Sequence, residues 1–379
     1  MIIKNIMKKI YHFIKNETVL SIAVVLAIIS SFFVKPDIEY FDYIDFRTLS
    51  LLFCLMAVMA GLQKTGVFNL LAENMLKKVH GIKSLTFILV MLCFFFSMLI
   101  TNDVALITFV PFAFTVLNML DDAEKKRLII PVIVLQTIAA NLGSMLTPIG
   151  NPQNLYLHGV SGLSVGNFIL LMLPYAAVSF LILSVWIFIN GGKGVIKINF
   201  GTGTKIEEKK KIVIYLISFV VCLLTVARVI DYKITLLIVI ALVAAADYRI
   251  FGKVDYTLLV TFTAFFVFIG NMGRIPMFSD YIKSVIDGHE CLTGIISSQF
   301  ISNVPAALLL SGFTDNFRPL IIGVNLGGLG TLIASMASLI SFKLLGHEDK
   351  SLRGKYLIYF TVSNIIFLAL LLAEYYVLT

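Results

Sequence analysis

Long apolar blocks alternate with short polar connections along the whole chain. A helix that crosses a bilayer needs roughly 17–25 apolar residues. On that pattern 18–34, 46–62, 128–147, 166–189, 212–230, 256–270, 317–342 and 356–378 read as spans. Segment 234–246 ("ITLLIVIALVAAA") is short but fits beside helical neighbours. Two blocks, 84–119 and 291–313, do not fit simple spans. The first is interrupted by "ITNDVAL" at 100–106 and the second by "ISNVPAAL" at 301–308. The flanks of the first are long enough for two ordinary spans joined by a turn. Those of the second, 291–301 and 304–313, are too short, so a re-entrant hairpin fits better. Stretches 67–79 and 277–286 are amphipathic and read as interfacial. Residues 1–17 are basic and amphipathic. Block 18–34 lacks a good small-residue cleavage site and reads as a retained first span.

Composition places the chain in a class. It has 379 residues, 59% hydrophobic and 14% charged, whereas soluble domains carry about 25% charged residues. The apolar runs are continuous, without the ten-residue alternation of a β-barrel. An all-α polytopic membrane protein is expected, with the lipid bilayer as its main partner. The net charge of +8 then reports topology, and no nucleic-acid partner is expected. Cys54, Cys93, Cys222 and Cys291 are scattered and imply neither a disulfide framework nor a zinc site. No phosphate-binding loop, metalloprotease or hydrolase motif occurs. ATP-driven transport within this chain and enzymatic activity are therefore not expected, and no cofactor is expected.

Lys and Arg orient the spans. With the N-terminus cytoplasmic and the C-terminus outside, 23 of the 30 fall on the inner side. Block 84–119 then re-enters from the inside and 291–313 from the outside, in a cytoplasmic (inner) membrane. A Gly- and Lys-rich linker, 190–211, divides the chain.

The halves resemble each other. "DFRTLSLLF" from Asp45 matches "DYTLLVTF" from Asp255. "ITNDVAL" matches "ISNVPAAL", and "NLGSMLTPIG" (141–150) matches "NLGGLGTLIA" (325–334). Asp45 falls outside and Asp255 inside, so the repeats are inverted, an architecture of secondary transporters. The expected organisation is 1–44, a basic segment and first span; 45–189, repeat 1, with hairpin 84–119 and broken helix 128–155; and the linker 190–211. Two connecting spans follow at 212–254. Repeat 2 is 255–345, with hairpin 291–313 and broken helix 317–345, and 346–379 is the last span.

Polar turns at membrane depth are tolerated only when buried in protein or lining a wet cavity. At each tip a half-helix begins, so its free N–H groups and dipole favour an anion. Pro305 suits a first helical turn. Gly143, Pro148, Gly150 and Pro152 break one helix, and Gly327, Gly328 and Gly330 break the other. Their freed carbonyls are candidate Na+ ligands. Asp103, an intramembrane acid, can hold Na+, carry a proton, or cap the second half-helix. An ionised Asp103 repels an anion unless a cation neutralises it, so a cation-coupled anion carrier is coherent.

These motifs resemble the ion-transporter superfamily of arsenite permeases, NhaD-type Na+/H+ antiporters, citrate carriers and divalent-anion/Na+ symporters. The resemblance covers roughly 45–345 and looks closest to a bacterial inner-membrane anion permease branch. It implies that Ser-Asn-Thr tips on opposed hairpins bind substrate and help form Na+ sites. Thr101, Asn102 and Asp103 match the first tip; Ser302, Asn303 and Val304, followed by Pro305, match the second. Asn141, Gly143, Ser144, Thr147, Gly150 and Asn151 match one broken helix. Asn325, Gly327, Gly328 and Thr331 match the other. Na+ is expected at Asn102, Asp103, Gly143, Asn303 and Gly327. A homodimer is also implied. Asp103 and Val304 depart from the symporters' Thr positions, which bears on dicarboxylate specificity.

The expected function is secondary active transport of a small inorganic or organic anion, coupled to Na+ or H+, by alternating access. The alternatives are Na+/H+ antiport through Asp103, or an anion channel.

Overall fold

The computed structural model describes residues 17–77, 79–192, 194 and 208–379. The basic segment 1–16 and most of the linker 190–211 lie outside the described residues. Helices dominate, with no strand among the described residues. Among the described residues, seven helices are long and apolar enough to cross a membrane, including Asp122–Ser144, Val165–Asn190 and Lys350–Leu378. Their outward faces carry Leu181, Val185, Phe188, Ile358, Val362 and Ile365, all exposed. Exposed aliphatic rows of this kind suit lipid contact. This is a multi-pass membrane protein.

Two packed groups of helices make up the molecule. In one group, Phe46–Lys64 packs on Lys209–Val226 and Tyr232–Asp247, and Tyr256–Gly273 packs on Thr18–Phe33. We call this group the scaffold. The other group holds both interrupted blocks. Its first hairpin, Ile82–Ile100 and Asn102–Leu117, lies along Asp122–Ser144. Its second hairpin, Glu290–Ile301 and Asn303–Ser311, lies along Phe317–Leu326. Met336–Glu348 rests on Asn102–Leu117, and Pro152–Ser161 rests on Asn303–Ser311, which ties the two hairpins together.

The expected interruptions fall at single residues. The first block turns at Thr101 and the second at Ser302. The first arm, Ile82–Ile100, has 19 residues and is long enough to span; the arms of the second hairpin have 12 and 9 residues. The broken helices stop at Ser144 and Leu326, where Gly, Pro and Thr cannot sustain the ladder. They resume at Pro152 and Met336.

In the scaffold, Tyr43 packs at Gly270 and Arg274, at the far end of Tyr256–Gly273. Tyr256, at the near end, reaches Phe53. Phe46–Lys64 and Tyr256–Gly273 therefore run past each other antiparallel. Lys64 Nζ bonds Asp247 Oδ2 at 2.6 Å.

Both hairpins press against their broken helices through glycine. A Cβ at Gly143 would meet the Phe94 carbonyl oxygen, and one at Gly323 would meet the Cys291 carbonyl oxygen. Backbone cannot step aside as a flexible side chain does. Gly323→Ala is therefore expected to destabilise by about 1–3 kcal/mol. Gly252→Ala, with nothing within 4 Å of the added carbon, should behave as wild type. Unfolding temperatures of the purified proteins in detergent check both.

Candidate substrate and ion site

Thr101 and Ser302 sit at the two tips with nearly identical backbones, φ 68° and ψ 151° for Thr101 and φ 71° and ψ 154° for Ser302. Residues with side chains rarely adopt this region, at a cost of about 1–3 kcal/mol each. The cost is accepted because each turn delivers the next residue onto a broken segment. Asn102 N–H donates to the Gly150 carbonyl at 3.2 Å, and Asn303 N–H donates to the Ala334 carbonyl at 2.9 Å. Thr147 and Thr331 then bind back to the hairpin arms: Thr147 Oγ1 donates to Met98 O at 2.5 Å and Thr331 Oγ1 to Gln299 O at 3.1 Å. Each of these contacts in the first half has its counterpart in the second, from matching places in the tip and the break.

The two breaks are also joined to each other. Asn102 Nδ2 donates to Asn141 Oδ1 at 3.0 Å, and Ser335 Oγ donates to the same oxygen at 2.9 Å. Asn141 Nδ2 reaches the Gly328 carbonyl at 3.4 Å, beside the Asn303 amide. In return, Asn325 Nδ2 donates to Asn154 Oδ1 at 2.7 Å. Asn154 Nδ2 donates to the carbonyls of Ser144 and Thr147. Asn151 closes the first break onto Ser144 Oγ at 2.6 Å. Asn102, Asn141, Asn303 and Asn325 are 2–4% exposed, so each amide sits in protein, away from lipid and bulk water.

Thr101, Asn102, Asn141, Ser144, Gly150, Asn151, Ser302, Asn303, Asn325 and Gly328 thus come together. Gly143 and Gly327 lie one turn away against Ser97 and Ser298. The Gly327 carbonyl, expected as a free cation ligand, accepts from Gln299 Nε2 at 3.0 Å. Thr331 is exposed and held by Gln299, whose Oε1 accepts Thr331 N–H at 2.8 Å. Val304 and Pro305 line a small cavity beside Ser302.

Sequence reasoning missed Asn154, Gln299 and Ser335. Asn154 stands in "GNPQN" and Gln299 in "QFISN", both polar positions inside apolar blocks, which is the signal that finds them. Ser335 has no such mark, since Ser is common in packed membrane helices.

Asp103 follows Asn102 in the first turn. The Thr101 side chain does not cap this helix; Asn102 Oδ1 accepts the Asp103 N–H at 2.9 Å, and Asp103 Oδ1 is buried without a hydrogen-bond partner. The residue lines a cavity of about 200 Å³. Thr101 and Asn151 line it from the tip and the break, and Gln63, Lys253 and Asp255 from the scaffold. A second cavity of about 40 Å³ joins Ser302, Val304 and Pro305 to Asp255 and Glu17. Both tips therefore face the scaffold across cavities whose walls are mainly apolar, with a few polar and charged groups set into them.

Two hairpin tips thus meet paired helix breaks in the middle of the chain's polar network, and sequence comparison places the chain among transporters. Residues 5–319 match the family described as "Citrate transporter". The chain belongs to the citrate transporter family. An uncharacterized transporter of Methanocaldococcus jannaschii is 36% identical over 331 residues, covering 86% of this chain and 87% of that protein. The inner membrane protein YbiR of Escherichia coli is 34% identical over 307 residues, covering 79% and 80%. A silicon efflux transporter of rice, Oryza sativa, is 34% identical over a shorter stretch of 131 residues, 35% of this chain and 26% of that protein. In this citrate transporter family member, Asn141 is the side chain on which both halves converge. Asn141→Ala strands the Asn102 amide and the Ser335 hydroxyl. A loss of about 1–3 kcal/mol for each stranded group is expected, read as a lowered unfolding temperature in detergent.

Proposed function

We propose that this transporter moves a small inorganic or organic anion across the cytoplasmic membrane, driven by Na+ or H+, by alternating access. The observation that carries the reading is the meeting of two polar tips on paired helix breaks, with one unpartnered acid beside them. Thr101, Asn102, Ser302 and Asn303 offer hydroxyl and amide donors at the starts of two half-helices, whose dipoles favour negative charge. The family's description as citrate transporters fits a carboxylate or similar oxyanion. Asp103 opposes an anion unless a cation is bound, which couples the two.

In this reading the halves are inverted repeats, with the N-terminus cytoplasmic and the C-terminus outside. The antiparallel course of Phe46–Lys64 and Tyr256–Gly273 supports that relation. The hairpins and breaks, bonded into one body, move against the scaffold. A homodimer joined through the scaffold suits such a motion.

Na+/H+ antiport is the second reading. Two carboxylates, Asp103 and Asp255, line the larger cavity against a single cation, Lys253, and that balance favours a cation over an anion.

Uptake into proteoliposomes separates the readings. The screen covers arsenite, phosphate, sulfate, and di- and tricarboxylates, each with and without a Na+ gradient. Anion symport predicts that Asn102→Ala and Asn303→Ala each lower uptake about tenfold or more, one lost buried hydrogen-bonding group. Asp103→Asn should abolish the cation dependence. Normal uptake by both Asn variants would remove the site assignment. Cation exchange that needs no anion and is lost in Asp103→Asn would establish antiport instead.

A further inference from the structure

Asp45 and Asp255 open corresponding helices, and their backbones agree within a few degrees, φ −77° and ψ 85° for Asp45 and φ −79° and ψ 86° for Asp255. Each caps its helix through Oδ1, which accepts the Thr48 N–H at 2.9 Å in one case and the Leu258 N–H at 3.0 Å in the other. The second oxygens differ. Asp45 Oδ2 accepts the Thr48 hydroxyl at 2.5 Å. The residue at that place after Asp255 is Leu258, whose side chain has no donor, and among the described residues no donor reaches Asp255 Oδ2.

Capping alone does not account for where this free oxygen lies. Asp255 and Leu258 are the two residues that line both cavities, the one leading to Asp103 and the one leading to Ser302. Asp255 is exposed, at their shared mouth. Deeper in the larger cavity, Asp103 Oδ1 is buried and unpartnered. Lys253 and Glu17 are the other charged groups at these mouths. A carboxylate with one oxygen spent on a cap and the other free, on the wall of the cavity that also holds a buried unpartnered acid, is a cation ligand in waiting.

We propose that Asp255 is a second cation-binding residue, taking Na+ through its free Oδ2 at the mouth of both passages and handing it to Asp103. This rests on the reading of Asp103 as the residue that holds the coupling cation. The acid of the second half thus serves the site through its helix start, and the hairpin tip of that half carries none.

Purified full-length protein in detergent, titrated with NaCl against choline chloride at constant ionic strength, tests the assignment through its unfolding temperature. The wild type should gain stability with Na+. Asp255→Asn keeps a capping oxygen and should unfold as wild type in choline chloride. It should need about tenfold more Na+ for half of its stabilisation, the effect of one unit charge a few ångströms away at a partly wet mouth. Leu258→Thr gives Asp255 the hydroxyl that Asp45 already has. It should weaken Na+ binding with every charge retained, and it decides the matter alone if Asp255→Asn does not fold. A folded variant of either kind that titrates as wild type overturns the role of Asp255. Asp103→Asn separates the two failures. If it too titrates as wild type, or the wild type gains nothing from Na+, the cation reading of Asp103 falls and this proposal falls with it.

Discussion

A backbone that leaves the helix inside a membrane must find every hydrogen-bond partner in protein. Four interruptions make that demand here, at Thr101, at Ser302 and at the two broken helices. Each interruption answers another. The tip at Asn102 donates to Gly150 in the first break, and the tip at Asn303 donates to Ala334 in the second. Asn141 and Asn325 carry the bonding across to the opposite half. An unmet buried polar group costs about 1–3 kcal/mol, so no one of these turns is stable without the others. Cooperation of this kind makes the hairpins and breaks a single body.

The order of the elements was legible in the chain because it depends on local signals. Apolar run length marked the helices, and polar residues or Pro marked the turns at "TND" and "SNVP". Gly and Pro marked the breaks. What lay beyond reading was the pairing. Asn325 with Asn154, and Ser335 with Asn141, join residues far apart in sequence, and no periodicity reports such a contact. The partners of the carbonyls at the second break were hidden for the same reason. Gln299 already occupies the Gly327 and Leu329 carbonyls, and only the packed hairpin reveals that reach. The left-handed backbones of Thr101 and Ser302 were also hidden, because Gly is the usual mark of such a turn and neither residue is Gly.

Matching contacts in the two halves expose their differences. Met98 and Gln299 hold corresponding places, and each carbonyl accepts from the matching Thr. Only Gln299 adds a side chain that knits its break together, so the second break is braced where the first relies on Asn154. Asp103 and Val304 also correspond. The first tip therefore carries an ionisable acid and the second an apolar side chain that lines a much smaller cavity.

That asymmetry bears on the proposed cycle more than the shared frame does. The frame supplies neutral donors twice over, from Thr101 and Asn102 and from Ser302 and Asn303. Neutral donors bind an anion without deciding what must travel with it. Asp103 makes the decision, because a carboxylate and an anion in one enclosed space repel strongly where the dielectric is low. Lys253 stands in the cavity wall at the scaffold side, and it stays behind if the body carrying the tips moves. In the proposed cycle a mobile cation is the group that neutralises Asp103 on both sides of the membrane, and coupling would follow from the position of that one acid.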